Sequence, residues 1–287
     1  MQKIKRRDFL KGIGATLLGA GLAPDVFAEE DEDPRFWEDT DSEDRYIRDY
    51  LFKMKHFDDH HPDDVFLTSQ DFKILKTSLG RLKRLQRTVG HGNFYLLNFD
   101  EALKIARNYV RVGSFTGPEI TFLERIFYED SGSYGFLGEK PLKNLTDRIK
   151  RQSVVKVRRT GNYLYKGLPL ETYQKIRDDI GDRVILTSGV RSVIKQFMLF
   201  LSKAHESQGN LSMASRSLAP PGYSFHGIGD FDVGQVGLGE FNFTEKFADT
   251  DVFKKLKDLG YIQLRYQDGN LFGVRFEPWH IRVHACV

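Results

Sequence analysis

The hydrophobic period of the sequence changes near Gly138, and that change restricts the fold more than any other feature. Before it, Phe72, Leu75, Leu79 and Leu82 recur at spacings of three and four, which lays an apolar stripe along a helix from about Ser69. Asn98 with Glu101 forms a capping-box start for a second helix carrying Ala102, Leu103, Ala106 and Val110. Thr116-Gly117-Pro118-Glu119 opens a third, with Ile120, Leu123, Ile126 and Phe127 inward. After it, Val154–Val157 and Tyr163–Tyr165 flank Thr160-Gly161-Asn162 and predict a hairpin. A helix over Leu170–Ile180 stops at Gly181, a strand follows over Arg183–Thr187, and further helices are expected from Ser192 to about Lys203 and over Asp251–Leu259. Tyr261–Tyr266 and Leu271–Phe276 predict a second hairpin across Gln267–Asn270. The expected class is α+β: an antiparallel sheet with flanking helices, preceded by a helical N-terminal region.

The first 28 residues read as an address rather than as fold. Arg6-Arg7-Asp8-Phe9-Leu10-Lys11, the short apolar run Gly12–Ala23 and the cleavage-like Val26-Phe27-Ala28 resemble a twin-arginine export signal. This implies an exported, periplasmic location and the twin-arginine translocase as a partner during export. No later stretch approaches the roughly 20 apolar residues that span a bilayer, so no transmembrane segment is expected in the mature chain. The signal segment carries five basic and two acidic residues, a net charge equal to the +3 of the whole chain. The mature protein is therefore near neutral, and its charge gives no reason to expect nucleic acid as a partner. A single cysteine, Cys286, excludes a disulfide framework and a cysteine-rich zinc site. The expected organisation is 1–28 signal, 29–68 acidic leader, 69–138 helical region and 139–287 catalytic domain. The leader is expected to be solvated, because Glu29–Asp44 is acidic and lacks an apolar period.

Chemistry concentrates in the second half. Catalytic zinc takes three protein ligands from histidine and carboxylate and leaves a fourth position open. His226 lies in Ser224-Phe225-His226-Gly227-Ile228-Gly229-Asp230-Phe231-Asp232, and His280 in Phe276-Glu277-Pro278-Trp279-His280, at the end of a predicted hairpin strand. Either histidine alone suits a hydrogen-bonded structural role; together with Glu277 they suit a metal.

These segments, with Ser188-Gly189-Val190-Arg191-Ser192 and Gln196 upstream, resemble the zinc D-alanyl-D-alanine carboxypeptidases that include the vancomycin-resistance enzymes. That family carries S-G-x-R-S, then S-x-H-x-x-G-x-A-x-D, then E-P-W-H, and the likeness covers roughly Tyr163 to Val283. The family's ligand aspartate falls seven residues after its histidine, where this chain has Val233. Asp232 is one place early and Asp230 three, and on a strand the two would share a face. A loop shortened by one residue would bring Asp232 into the ligand position, leaving Asp230 to orient a ligand or to replace it.

The resemblance implies one zinc ion held by His226, Asp232 and His280, Glu277 as general base, and Arg191, Ser224 and Gln196 as substrate contacts. Trp279 is expected to pack rather than bind. The implied reaction is hydrolysis of the terminal D-Ala from peptidoglycan stem peptides. A dipeptidase or endopeptidase on the same polymer, or a non-catalytic wall-binding module, are the other readings. The run His56, Asp58, Asp59, His60, His61, Asp63 and Asp64 is expected to be a solvated acidic loop rather than a second metal site. Lys150, Arg151, Lys156, Arg158 and Arg159 read as a solvated strand face.

Overall fold

The computed structural model of the protein describes residues 34–262 and 264–283. The signal-like segment 1–28 and Cys286 lie outside the described residues. Met1–Tyr46 and Ile47–Val287 cluster as two units.

The expected caps start the helices of the first half. Thr68 accepts from the Asp71 amide at the head of α2 (Ser69–Val89), and Asn98 and Glu101 close both bonds of a capping box on α3 (Phe99–Asn108). Thr116 and Glu119 do the same for α4 (Gly117–Tyr128), with Pro118 in its first turn. Glu119 also takes an ion pair from Arg81 of α2 at 3.1 Å, which ties the two helices together. The apolar stripe Leu75, Leu79, Leu82 and Leu85 is buried against Phe122, Leu123 and Ile126 of α4 and Phe197, Phe200 and Leu201 of α6 (Val193–Glu206). The helical region and a helix of the second half thus share one core.

A second core lies under the sheet. The predicted hairpin forms as β1 (Val154–Lys156) and β2 (Tyr163–Tyr165), and α5 spans Leu168–Ile180. Strands β3 (Val184–Ser188), β4 (Phe231–Gln235) and β5 (His280–Ile281) pair antiparallel in the order β3-β4-β5. Phe231, Val233, Val184, Leu186 and Ile281 pack with α5 and with α8 (Asp251–Asp258). The alternation of β4 therefore turns Asp232 to the opposite face. The short α7 (Leu211–Ser217) follows α6 and, like it, joins the helical core. Among the described residues no helix is long and apolar enough to cross a membrane.

Three features differ from the sequence reading. The acidic stretch expected to be an unpatterned leader is helical from Pro34, as α1 (Pro34–Lys55). An apolar stripe is needed to bury a helix, whereas Glu, Arg and Lys carry one acceptably in solvent. Among the described residues of 261–276 no second hairpin forms: Leu264 bridges Ile281 instead. Side chains take several backbone groups of this segment, although Glu277 N–H still donates to the Tyr266 carbonyl at 2.9 Å. Asn270 donates to the Val274 and Gln267 carbonyls, and the Tyr50 hydroxyl accepts from Gly273 N–H while donating to the Asn270 carbonyl. Finally, the His56–Asp64 run is not wholly solvated. The Asp64 side chain is 1% exposed and pairs with Arg216 of α7 at 2.6 Å. Lys150, Arg151, Lys156, Arg158 and Arg159 are exposed, as expected.

Candidate metal centre

The site forms where the face of β4 opposite the second core meets the ends of β3 and β5. A register shift between Leu186 and Ser188 places Ser188 opposite Asp232, and β5 places His280 opposite the same aspartate. Gly189 follows β3 because nothing larger fits: a Cβ there would stand 2.0 Å from the Tyr163 carbonyl oxygen. His226 sits in a single 3-10 turn, Phe225–Gly227, and the chain leaves it through Gly229 at φ 141, a left-handed backbone that favours glycine. The amides of Gly229 and Asp230 both point at the Phe225 carbonyl, a tight exit that brings Asp232 beside His226.

His226, Asp232 and His280 are buried, and each offers one ligand atom, all within 4.8 Å of one another. His226 Nδ1 donates to the Gly189 carbonyl at 2.8 Å, which fixes the tautomer and turns Nε2 toward Asp232 Oδ1 at 3.1 Å. His280 Nε2 donates to Asp230 Oδ2 at 3.0 Å, leaving Nδ1 facing Asp232 Oδ1 at 3.3 Å. Each imidazole is thus held by its outer nitrogen and points the inner one at a shared carboxylate, as metal-ligating histidines are held. Burial, with the Arg191 guanidinium nearby, lowers His226 to about 4, so its Nε2 lone pair faces a carboxylate oxygen. Arg191, ion-paired with Asp232, supplies positive charge beside these lone pairs, and a metal ion between them would supply more. Two imidazole nitrogens and a carboxylate oxygen are also a donor set that zinc accepts. The residues present fit a zinc ion.

Asp230 lies behind the trio. Besides His280 it accepts from Arg265 Nε at 2.7 Å and from the Val283 amide at 3.0 Å. Burial opposes ionisation of both aspartates, but the surrounding donors and cations outweigh it and keep each carboxyl well below the usual range. Glu277 behaves oppositely. Burial, with Asp232 adding to it, pushes its carboxyl up to about 7, and its Oε2 stands 3.7 Å from His280 Nδ1. His280 is pushed up to about 9, because burial is outweighed by the two carboxylates it meets.

Arg191, Gln196, Ser224, Glu277, His226 and His280 line one cleft, together with an apolar wall of Leu199, Leu218 and Ala219. All the residues singled out in the sequence for ligation, proton transfer or substrate contact therefore meet around one place, with Asp232 and Asp230 behind the histidines. Arg191 reaches Ser188 Oγ at 2.8 Å and forms an ion pair with Asp232, so the guanidinium both lines the cleft and braces a carboxylate. Gln196 commits its Oε1 to the Gly222 amide at 2.8 Å and one N–H to the Arg191 carbonyl at 3.0 Å. It joins the two sides of the cleft. Trp279 is buried and packs edge-on against Phe243.

The sequence reading missed the supports. Ser188 and the Gly189 carbonyl lay inside a recognised motif whose internal bonds spacing alone does not reveal. Arg265, which holds Asp230, and the Tyr266 ring, 5.3 Å from that of His280, lay in a run read as an ordinary strand.

Comparison with known proteins agrees with the motifs. Residues 169–285 match the VanY family, D-alanyl-D-alanine carboxypeptidase. No curated protein matches the chain. Among solved structures, the LdcB LD-carboxypeptidase, described for peptidoglycan recognition, aligns with 25% identity and a TM-score of 0.36, covering 42% of this chain and 59% of its own. VanYB in complex with D-alanine-D-alanine aligns with 24% identity and a TM-score of 0.38, over 50% of this chain and 84% of that one. A mutant of the vancomycin-resistance D,D-pentapeptidase VanY in complex with Zn(II) aligns with 24% identity and a TM-score of 0.37, over 50% and 85%.

Proposed function

From the match of residues 169–285 to the VanY D-alanyl-D-alanine carboxypeptidase family, we propose that the protein is an exported zinc peptidase that removes the terminal D-Ala from peptidoglycan stem peptides. Residues 139–287 would form the catalytic part and 69–138 its helical support. The twin-arginine translocase would export the chain. The observation that carries the reading is the buried trio His226, Asp232 and His280, whose two histidines line one cleft with a carboxyl group of near-neutral affinity for protons.

In this reading His226, Asp232 and His280 hold one zinc ion. When bound, zinc supplies Lewis acidity, polarising a carbonyl and making water a stronger acid at neutral pH. The remaining work belongs to side chains. Glu277, at about 7, is as ready to take a proton as to give one, so it can deprotonate the attacking water and pass that proton to the leaving amine. Arg191 offers the cleft a guanidinium whose orientation is fixed by Ser188 and Asp232, suited to a terminal carboxylate or a polarised carbonyl. Ser224 adds a hydroxyl on the cleft wall. Gln196, with one amide N–H beyond its two framework bonds, supports Arg191 and can reach substrate with that N–H. The apolar Leu199, Leu218 and Ala219 suit a substrate end bearing only a methyl group.

Glu277→Gln tests the assignment. The amide keeps the shape and cannot take the proton, so zinc content should stay at one per chain while turnover of a peptide ending in D-Ala-D-Ala falls about 10²–10⁴-fold. Mass spectrometry of the wild-type products identifies the bond: loss of one D-Ala is expected, and release of a dipeptide or an internal cut would assign a different peptidase. Retained activity, or loss of metal along with activity, would remove Glu277 from the role of base.

A further inference from the structure

The segment Phe57–Asp64 lies more than a hundred residues before the region matched to the family, yet it holds Arg216 and Arg275, each two residues before a residue that lines the cleft. The grip is made by Arg216, in the last turn of α7. Its buried guanidinium donates from Nε to the Phe57 carbonyl at 3.1 Å and from Nη2 to the Asp59 carbonyl at 2.9 Å. It also pairs with Asp64, Nη1 to Oδ1 at 2.6 Å and Nη2 to Oδ2 at 3.1 Å. Asp64 is anchored in turn by Asn210 Nδ2 at 2.6 Å, at the other end of α7. The same segment runs on to pair beside α7, where Leu211 N–H donates to the Val65 carbonyl at 2.9 Å and Val65 N–H to Ser212 Oγ at 3.0 Å.

Two residues after Arg216 the chain becomes the apolar wall, Leu218 and Ala219, and then the loop to Ser224. The segment that leads to Glu277 is tied to the same point. The Arg216 carbonyl accepts from the Arg275 amide at 2.9 Å, and the Arg275 guanidinium lies 4.5 Å from the Phe57 ring and 5.0 Å from the Trp279 ring. Glu277 is two residues beyond Arg275. One N-terminal loop thus fixes the elements that deliver Leu218, Ala219 and Glu277, with no more than two residues between each anchor and the cleft.

We propose that Arg216 and Asp64 are positioning residues for substrate binding, and that the loop Phe57–Asp64 is a structural part of the active cleft. A clasp serving stability alone need not end just before two separate segments that line a single cleft. This inference rests on the peptidase reading for its kinetic test but not for its structural one. Slack in the clasp moves the apolar wall relative to the metal trio, and a displacement of 1 Å can cost about a hundredfold in rate.

The test is Asp64→Asn, which keeps the size of the side chain and removes the charge that Arg216 pairs with. Zinc content should remain one per chain, and KM for a peptide ending in D-Ala-D-Ala should rise about tenfold, since the wall contacts substrate and the trio does not move. KM is the deciding quantity, because a smaller folded fraction lowers apparent kcat and leaves KM alone. An unchanged KM overturns the proposal whatever happens to kcat. If Asp64→Asn yields no soluble protein, Arg216→Lys, which keeps a charge for Asp64 but loses the Phe57 and Asp59 carbonyls, should raise KM in the same way, and an unchanged KM is again decisive. If the wild-type protein hydrolyses no such peptide, it is the peptidase reading that fails. Amide hydrogen exchange then judges the clasp by itself: Asp64→Asn, or Arg216→Lys in its place, should strip protection from Leu218–Ser224 while leaving α5 unchanged, and equal protection at both would overturn it.

Discussion

Replacing Asp230 by Asn separates two jobs that the structure gives one side chain. Asp230 accepts from His280 Nε2 at 3.0 Å and from Arg265 Nε at 2.7 Å, and it is buried. Asn keeps an acceptor oxygen but not the charge. If His280 binds zinc as proposed, the loss toward it is that of a carboxylate orienting a metal ligand, about 10–100-fold in zinc affinity, which converts to about 1.4–2.7 kcal/mol. Toward Arg265 the loss strands a guanidinium that is 8% exposed and whose Nη2 already has no partner. Breaking one side of a buried ion pair costs about 3–5 kcal/mol of folding stability. The single variant should therefore be both weakly metallated and unstable. Adding Arg265→Met removes the stranded charge and fills its volume, so the double variant should recover most of the stability and none of the zinc affinity. Urea denaturation of the metal-free proteins reads the first quantity, and competition with a chromophoric chelator reads the second. Zinc affinity restored together with stability would refute the division of labour, and wild-type affinity in Asp230→Asn would remove Asp230 from the metal's support altogether.

Two further outcomes follow from the same geometry. Asp64 is held down to about 2, burial being outweighed by Arg216 and Asn210, so its stabilising contribution is fully present above the ordinary aspartate value near 3.8 and is lost as pH falls through about 2. The stability difference between wild type and Asp64→Asn in urea melts should be constant above about pH 5 and shrink below pH 4, and a difference that grew on acidification would contradict the pairing. Gly189→Ala should cost more than the about 1–3 kcal/mol of ordinary overpacking, because the added methyl meets a backbone oxygen that cannot swing away; a melting curve like that of the wild type would show that the hairpin carrying Tyr163 is free to move.

What the sequence disclosed depended on how local the cause was. The capping boxes at Asn98 and Thr116, the hairpin turn at Thr160–Asn162 and the helix stop at Gly181 are short-range chemistry, and each appears where the pattern put it. The choice between Asp232 and Asp230 was also visible in part, because strand alternation puts both on one face. The nearness of Asp232 to the family's ligand slot favoured it over Asp230, but the register shift that sets Ser188 opposite Asp232 was not visible. The second hairpin failed for a long-range reason: Tyr50, more than two hundred residues away in the chain, holds the backbone groups of Asn270, which the pattern assigned to the turn, and of Gly273, which it assigned to a strand. The acidic run ending at Asp64 was misread for the same kind of reason. A charge run is solvated unless a buried partner waits for it, and Arg216 lies some hundred and fifty positions further on.

X-ray absorption at the zinc edge, on the protein purified without added metal, tests the central assignment most directly. One zinc per chain is expected, with two nitrogen neighbours from His226 and His280 at about 2.0–2.1 Å and oxygen neighbours including Asp232 at about 2.0–2.2 Å. The His226→Ala and His280→Ala proteins, folded by circular dichroism, should each lose the metal. Near-stoichiometric zinc in both variants, or a wild-type protein that takes up no zinc when it is supplied, would contradict the account.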